Sequence, residues 1–150
     1  MQTINDTRFT QLCYAPKSKL ITQTWKFTAH KNHLHFFGNL SEVLDAVDAY
    51  PTQYLIIDFS NFKYPLDLNS RKWVVDHFLL HLIPYQLHKI ALINSSDSAT
   101  QKTLELVLSN PKLSRLNLNF FDNVKQANTW FAKKTNASAK NMRGNGIKMF

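Results

Sequence analysis

Glycine is nearly absent from this chain: three residues in 150, two of them (Gly144 and Gly146) close to the end. Phosphate-binding loops need glycine where the backbone closes on the phosphate, and neither GxGxxG nor GxxxxGKS/T occurs. Cysteine is limited to Cys13, which excludes an internal disulfide and a cysteine-type metal cluster. The opening MQTINDTRFTQ lacks a basic region and an apolar core, so no signal peptide is expected. Apolar runs are broken by Asp, His or Pro well before the ~18 residues a membrane helix needs. A cytoplasmic protein with no membrane span is therefore expected, and the sequons at Asn5, Asn94 and Asn136 carry no weight there.

What is present is enough to build a core. Hydrophobic residues make up 44% of the chain and aromatics 13%, with eleven Phe. That composition belongs to one globular domain, not to a disordered chain. The formal charge of +8 is uneven. Five of the 18 basic residues lie from Lys133 onward with no acid among them, leaving 13 basic against 10 acidic before that point. Residues 1–134 read as the folded domain. Residues 135–150, "TNASAKNMRGNGIKMF" without aromatic interleaving, read as a solvated basic tail with no specific nucleic-acid role.

Hydrophobic periodicity orders the elements. Residues 9–14 and 19–28 read as strands joined by the turn Ala-Pro-Lys-Ser (15–18). In the second, Leu20, Thr22, Thr24 and Lys26 alternate with Ile21, Gln23, Trp25 and Phe27. Leu34, Phe37, Leu40, Leu44 and Val47 give a helical stripe that Asn32 or Ser41 would cap. Residues 54–57 and 89–94 are short continuous apolar runs, the pattern of strands buried on both faces. Between them, Val75, Phe78, Leu79 and Leu82 mark a helix with Asp67 or Asn69 as its cap and Pro84 closing it. Ser98 and Gln101 are spaced as a capping box for a helix carrying Leu104, Val107 and Leu108. A last strand, 116–121, leads to a helix capped by Asp122 with Val124, Ala127, Trp130 and Phe131 inward. The order β-β-α-β-α-β-α-β-α predicts a single α/β domain, mainly parallel, with an antiparallel edge hairpin.

Several pieces together resemble the SpoIIAA-like group of STAS-like domains, a fold related to CRAL-TRIO lipid-binding domains. They are "TQTWKFT" with Trp25, "YLIIDFSNF" with Asp58 ending a strand, Trp73, "KIALI" (89–93) and "FFDNVKQANTWF" (120–131). The match runs over roughly residues 8–133. It implies a SpoIIAA-like (βα) superhelix and a non-enzymatic regulatory or protein-interaction role. In anti-anti-sigma relatives the loop after this strand looks like D-L-S-x-x-x-x-x-D-S-S-G, and the serine after the second acid is phosphorylated. Here Asp58-Phe59-Ser60 matches, Asp67 falls one residue later, Leu68 holds the phosphoserine position, and no Gly follows. Ser70 is only a shifted candidate.

Strand carboxyl ends collect ligands in open parallel sheets. The binding candidates are Asp58, Ser60, Lys63, Tyr64, Asp67, Asn69, Ser70 and Arg71, with Lys63, Arg71 and Lys72 placed to meet an anion or acidic partner. Asp97 and Asp122 read first as caps, and Asp58 is open between rim and turn. Trp73, His77 and Leu80 form a second helical stripe, either a wide core face or an interface to a partner or second copy. His77 and His81 share a face, but no third ligand lies at useful spacing, and His33 and His35 point apart, so no metal is expected. No GxSxG elbow or paired-carboxylate motif supports catalysis, and no cofactor is implied. The expected function is binding of a protein partner or a homodimer contact. The alternative is a small apolar-ligand or lipid carrier of CRAL-TRIO-like type.

Overall fold

A computed structural model describes residues 1–27 and 33–133. Asn32, His30 and the basic tail from residue 135 onward lie outside the described residues. Six strands form one sheet in sequential order: β1 (Gln2–Asp6), β2 (Thr10–Ala15), β3 (Leu20–Trp25), β4 (Tyr54–Asp58), β5 (Lys89–Ile93) and β6 (Leu118–Phe121). The first three are antiparallel neighbours, and β3 through β6 run parallel. The helices are α1 (His33–Ala49), α2 (Leu68–Trp73), α3 (Ser98–Leu108) and α4 (Val124–Ala132). The α/β class, the antiparallel edge and the alternation agree with the sequence pattern. β1 was not expected, because QTIND is polar and half exposed, with no apolar face to mark it. The second strand also ends earlier than expected, at Trp25, which leaves Phe27 71% exposed.

Sequential parallel strands joined by right-handed crossovers place every connecting helix on one face. Leu55, Ile57, Ile90 and Leu92 point to that face, against Phe36, Leu40 and Val43 of α1, Val75 and Phe78 beyond α2, and Leu104 and Val107 of α3. The other face carries Ile56, Ala91 and Ile93, covered by α4 through Ala127. Strands β4 and β5 are thus buried on both sides, as their unbroken apolar runs require.

The phase of α1 differs from expectation. Its buried stripe is Phe36, Leu40, Val43 and Val47, while Leu34 is 68% exposed and Phe37 and Leu44 are only half-buried. The doublet Phe36-Phe37 supports two phases about 100° apart, and the sequence does not choose between them. Gly38 lies on the outer face, where an added Cβ would meet nothing within 4 Å. Gly38→Ala is therefore expected to stabilise the fold by about 1 kcal/mol, from helix propensity alone. A thermal melt reads this as a Tm rise of roughly 2–4 °C.

Three caps also differ. Ser41 sits inside α1 and donates to the Phe37 carbonyl at 2.9 Å, so it caps nothing. The capping box expected of Ser98 does not form; Asp97, itself expected to cap, holds the start of α3 by accepting from Thr100 N at 3.0 Å. Gln101 reaches back instead to Ser95 N, 2.8 Å. Asn123, not Asp122, caps α4 through Gln126 N. The Asp122 carboxylate is occupied, accepting from the Asn94 amide at 2.8 Å. Asp67 does cap α2, accepting from Ser70 N at 2.7 Å. The helix after it widens into a π turn (Val74–Leu79) and then tightens to a 3-10 turn (Leu80–Tyr85) containing Pro84. Proline has no N–H for the carbonyl four residues back and clashes with it, so the ladder changes register there.

Candidate functional site

The carboxyl end of β4 opens the candidate site. The Asp58 carboxylate accepts from Ser60 N at 2.9 Å, a local turn. The Ser60 carbonyl in turn accepts from Ser96 N at 3.1 Å. Asp58 and Ser60 therefore fix the strand-to-loop turn. The following loop is not loose. Phe59 and Phe62 plunge into a ring cluster with Trp25 and Phe36, at centroid separations of 4.9–6.1 Å. Ser95 Oγ donates to the Phe62 carbonyl (2.7 Å), and Leu66 N donates to Thr103 Oγ1 (3.0 Å). Tyr64 leans half-buried on Phe36 and Phe62.

The cations expected to gather here do not converge. Arg71 Nη1 donates to the Leu66 carbonyl at 2.7 Å, bracing the loop. Lys63 lies over the exposed Phe27 ring, 4.9 Å from its centroid. Lys72 is exposed and does not line the cleft described next. Ser70 is 2% exposed, turned under the helix start, whereas Leu68 is 59% exposed.

A cleft of about 270 Å³ lies between the first turns of α1 and α2, lined by His33, Phe37, Asp67, Asn69, Ser70 and Trp73. Trp73 stacks almost flat on Phe37, with centroids 4.2 Å apart at 14°. His33 lies 5.3 Å from Phe37 on one side, and His77 lies 6.0 Å from Trp73 on the other. Trp73 is thus a bridge between helices, Leu80 is half-buried against the core, and His77 is the exposed member of the expected stripe. His33 and Phe37 were missed as site residues because they meet Trp73 only across the fold. The one sequence signal was the second apolar phase that Phe37 offers on α1.

Hydrogen bonds from Ser70 hold the Asp67 carboxyl below its ordinary range, helped by the charges of His33 and Arg71. Thr100 does the same for Asp97. Both groups titrate below 3.8 when folded, so their capping is in force above that value and is lost as pH falls through the folded pKa. Melts between neutral pH and strong acid should show a loss of stability below about pH 4. The double variant Asp67→Asn, Asp97→Asn should flatten that fall while keeping the caps. An unchanged acid limb would assign it to other carboxylates.

The sequence also gave no warning of a buried lysine. Lys89, 3% exposed, donates from Nζ to the carbonyls of Trp130 and Lys133 (2.8 Å to the latter), closing the end of α4. Burial, then the charge of Lys133, pushes its pKa down. Tyr85 is pushed up because it donates to the Asp48 carboxylate. Each of these shifts has a structural partner. Among the described residues no three His, Cys, Asp or Glu side chains gather to hold a metal. No described helix is long and apolar enough to cross a membrane.

No family model, curated protein or solved structure matches the chain.

Proposed function

We propose that the protein is a non-enzymatic binding module, of the STAS-like kind its motifs resemble, that docks a protein partner at the cleft between α1 and α2. The observation that carries this reading is the aromatic floor of the cleft. The Phe37–Trp73 stack, only half-buried, bridges α1 and α2, and both rings pack against the core that holds those helices on the sheet. Half-buried aromatics on a fixed scaffold are the kind of residue that anchors partners. Binding of this kind needs no serine switch. The position that aligns with the phosphoserine is Leu68, and the nearby Ser70 is buried.

The carrier alternative finds less support. A ligand chamber takes roughly 300 Å³ or more. The enclosed apolar space lined by Phe36, Leu40, Ile57, Phe78, Leu104 and others amounts to about 20 Å³, and the larger groove of about 360 Å³ between α1 and β1–β2, lined by Ile4, Leu12, Ala46 and Tyr50, is open and carries Asn5, Glu42 and Asp45 on its wall.

Affinity capture with the full chain tests the docking reading. Trp73→Ala and His33→Ala should each release a captured partner, by roughly tenfold for Trp73 if it anchors the contact. Gln11→Ala, on the far side of the sheet, should not. Loss of the partner in Gln11→Ala alone would move the site to that face.

A further inference from the structure

We propose that the chain's own basic segment, residues 140–149, docks in the groove between α1 and β1–β2. The sequence alone reads that segment as a solvated tail. The groove offers it a fitting surface. Its floor is apolar, made by Ile4, Leu12, Ala46 and Tyr50, and its volume is about 360 Å³. At Ala49 and Tyr50 it runs on into a second hollow lined by Asp48, Pro51 and Thr52. The two form one trough along the second half of α1, and they share no residue with the α1–α2 cleft.

The wall of the trough is acidic where a helix disfavours acids. Glu42, Asp45 and Asp48 line it, and α1 from Phe36 onward contains no Lys, Arg or His. Carboxylates in the last turns face the negative end of the helix dipole, so they weaken α1 unless a cation covers them. Among the described residues none does: the ion pairs there are Lys26–Asp6 and Lys112–Asp76. Among those residues, Glu42 accepts from the neutral Asn5 amide, Asp48 accepts from the Tyr85 hydroxyl, and the exposed Asp45 accepts from nothing. The Tyr85 pKa is raised by its bond to Asp48, by burial, and then by the charges of Asp48 and Asp45.

The matching charge lies in the chain after α4. Residues 134–150 hold Lys134, Lys140, Arg143 and Lys148 and no acid, with Met142, Ile147 and Met149 beside the cations. The chain also leaves α4 at the right edge of the sheet. Lys89, which opens β5, donates to the Lys133 carbonyl at 2.8 Å, so the departure point lies at the amino ends of the parallel strands. α1 ends at that same edge, because only residues 50–53 separate it from β4. From β5 to β2 is three strand spacings, ~14 Å, and residues 134–141 when extended reach about 27 Å. The cations then meet the acidic wall while Met142 and Ile147 cover the apolar floor.

The test is carbodiimide coupling of the dilute full chain, read by mass spectrometry, with ¹⁵N amide NMR on the same protein. Lys140 and Lys148 should couple within one chain to Glu42, Asp45 or Asp48, roughly fivefold more than to Glu105 or Asp122. Arg143→Glu with Lys148→Glu changes no residue of the described fold. It should cut the coupling of Lys140 to that wall roughly fivefold. It should also shift the amides of Leu12, Ala46 and Tyr50 while leaving those of Asp67–Trp73 in place. Asp45→Lys, at an exposed position, should lower the coupling to Glu42 and Asp48 in the same way. Coupling spread evenly over the surface acids, or groove amides that ignore the tail substitutions, overturns the proposal. Coupling found only between copies in a mixed ¹⁴N and ¹⁵N sample also overturns it, because the groove would then hold a second copy.

Discussion

Phe62→Ala is expected to cost about 3–5 kcal/mol, a large part of the ~5–15 kcal/mol that holds a domain of this size together. Phe62 belongs to a loop, where truncation is usually cheap. This loop is different. The ring is wholly buried, with centroids 4.9 Å from Trp25, 5.2 Å from Phe36 and 5.3 Å from Phe59. Removing it leaves a cavity at the centre of the ring cluster, beneath the ledge that carries Tyr64 and leads to Asp67. The surrounding rings belong to β3, α1 and the loop itself, so they cannot collapse together without shifting α1 against the sheet. Urea unfolding should show a much lower midpoint with an unchanged slope. A loss under about 1 kcal/mol would mean that the loop is not anchored by its aromatics.

The second large effect is expected at Asn39, a polar residue buried on the inner face of α1. Its Oδ1 accepts from Thr10 Oγ1 at 2.9 Å and Thr7 Oγ1 at 3.2 Å, while Nδ2 donates to the His35 carbonyl at 2.7 Å. Its backbone carbonyl accepts from Gln23 Nε2 at 2.7 Å. One side chain therefore links α1 to the start of β2. Asn39→Leu has a similar volume, but it strips the acceptor from the hydroxyl of the buried Thr10 and leaves Thr7 only its longer bond to the Thr10 carbonyl, 3.3 Å. An unmade buried donor costs about 1–3 kcal/mol, so a loss of roughly 1–3 kcal/mol is expected. Thr10→Val in the Asn39→Leu background should recover part of it, because both partners of one bond are then apolar. Full additivity of the two losses would show that the bond contributes nothing.

Much of the fold was legible because the interior strands announce themselves. "YLII" and "KIALI" are apolar without alternation, which only a strand covered on both faces tolerates. The helices between them carry turn and cap chemistry that can be read to within a residue or two. The errors lie where two neighbours offer the same chemistry: Asp97 beside Ser98, Asp122 beside Asn123, Phe36 beside Phe37. Local sequence supplies both members of each pair, and tertiary contacts decide between them. β1 was invisible because a polar edge strand needs only backbone partners.

The candidate site divides in the same way. Its place, at the end of β4 and the start of the next helix, follows from parallel-sheet topology. Asp67 at the cap was readable from its position. The chemistry was not. Arg71, Lys63 and Ser70 are charged or polar in sequence, yet the fold turns them to the loop carbonyl, to Phe27 and to the interior. His33 and Phe37 enter the site only because α1 packs beside α2, thirty-odd residues later in the chain. Composition cannot signal such a meeting; two aromatic phases on one helix can only permit it.

The central claim, that this cleft is where a partner sits, is tested most directly by site-specific photo-crosslinking in cells. A photoreactive side chain at Asn69, on the cleft wall, is expected to trap a discrete partner. The same group at Thr22, on the opposite face of the sheet, is expected to trap none. A partner captured at Thr22 and not at Asn69 would contradict the account.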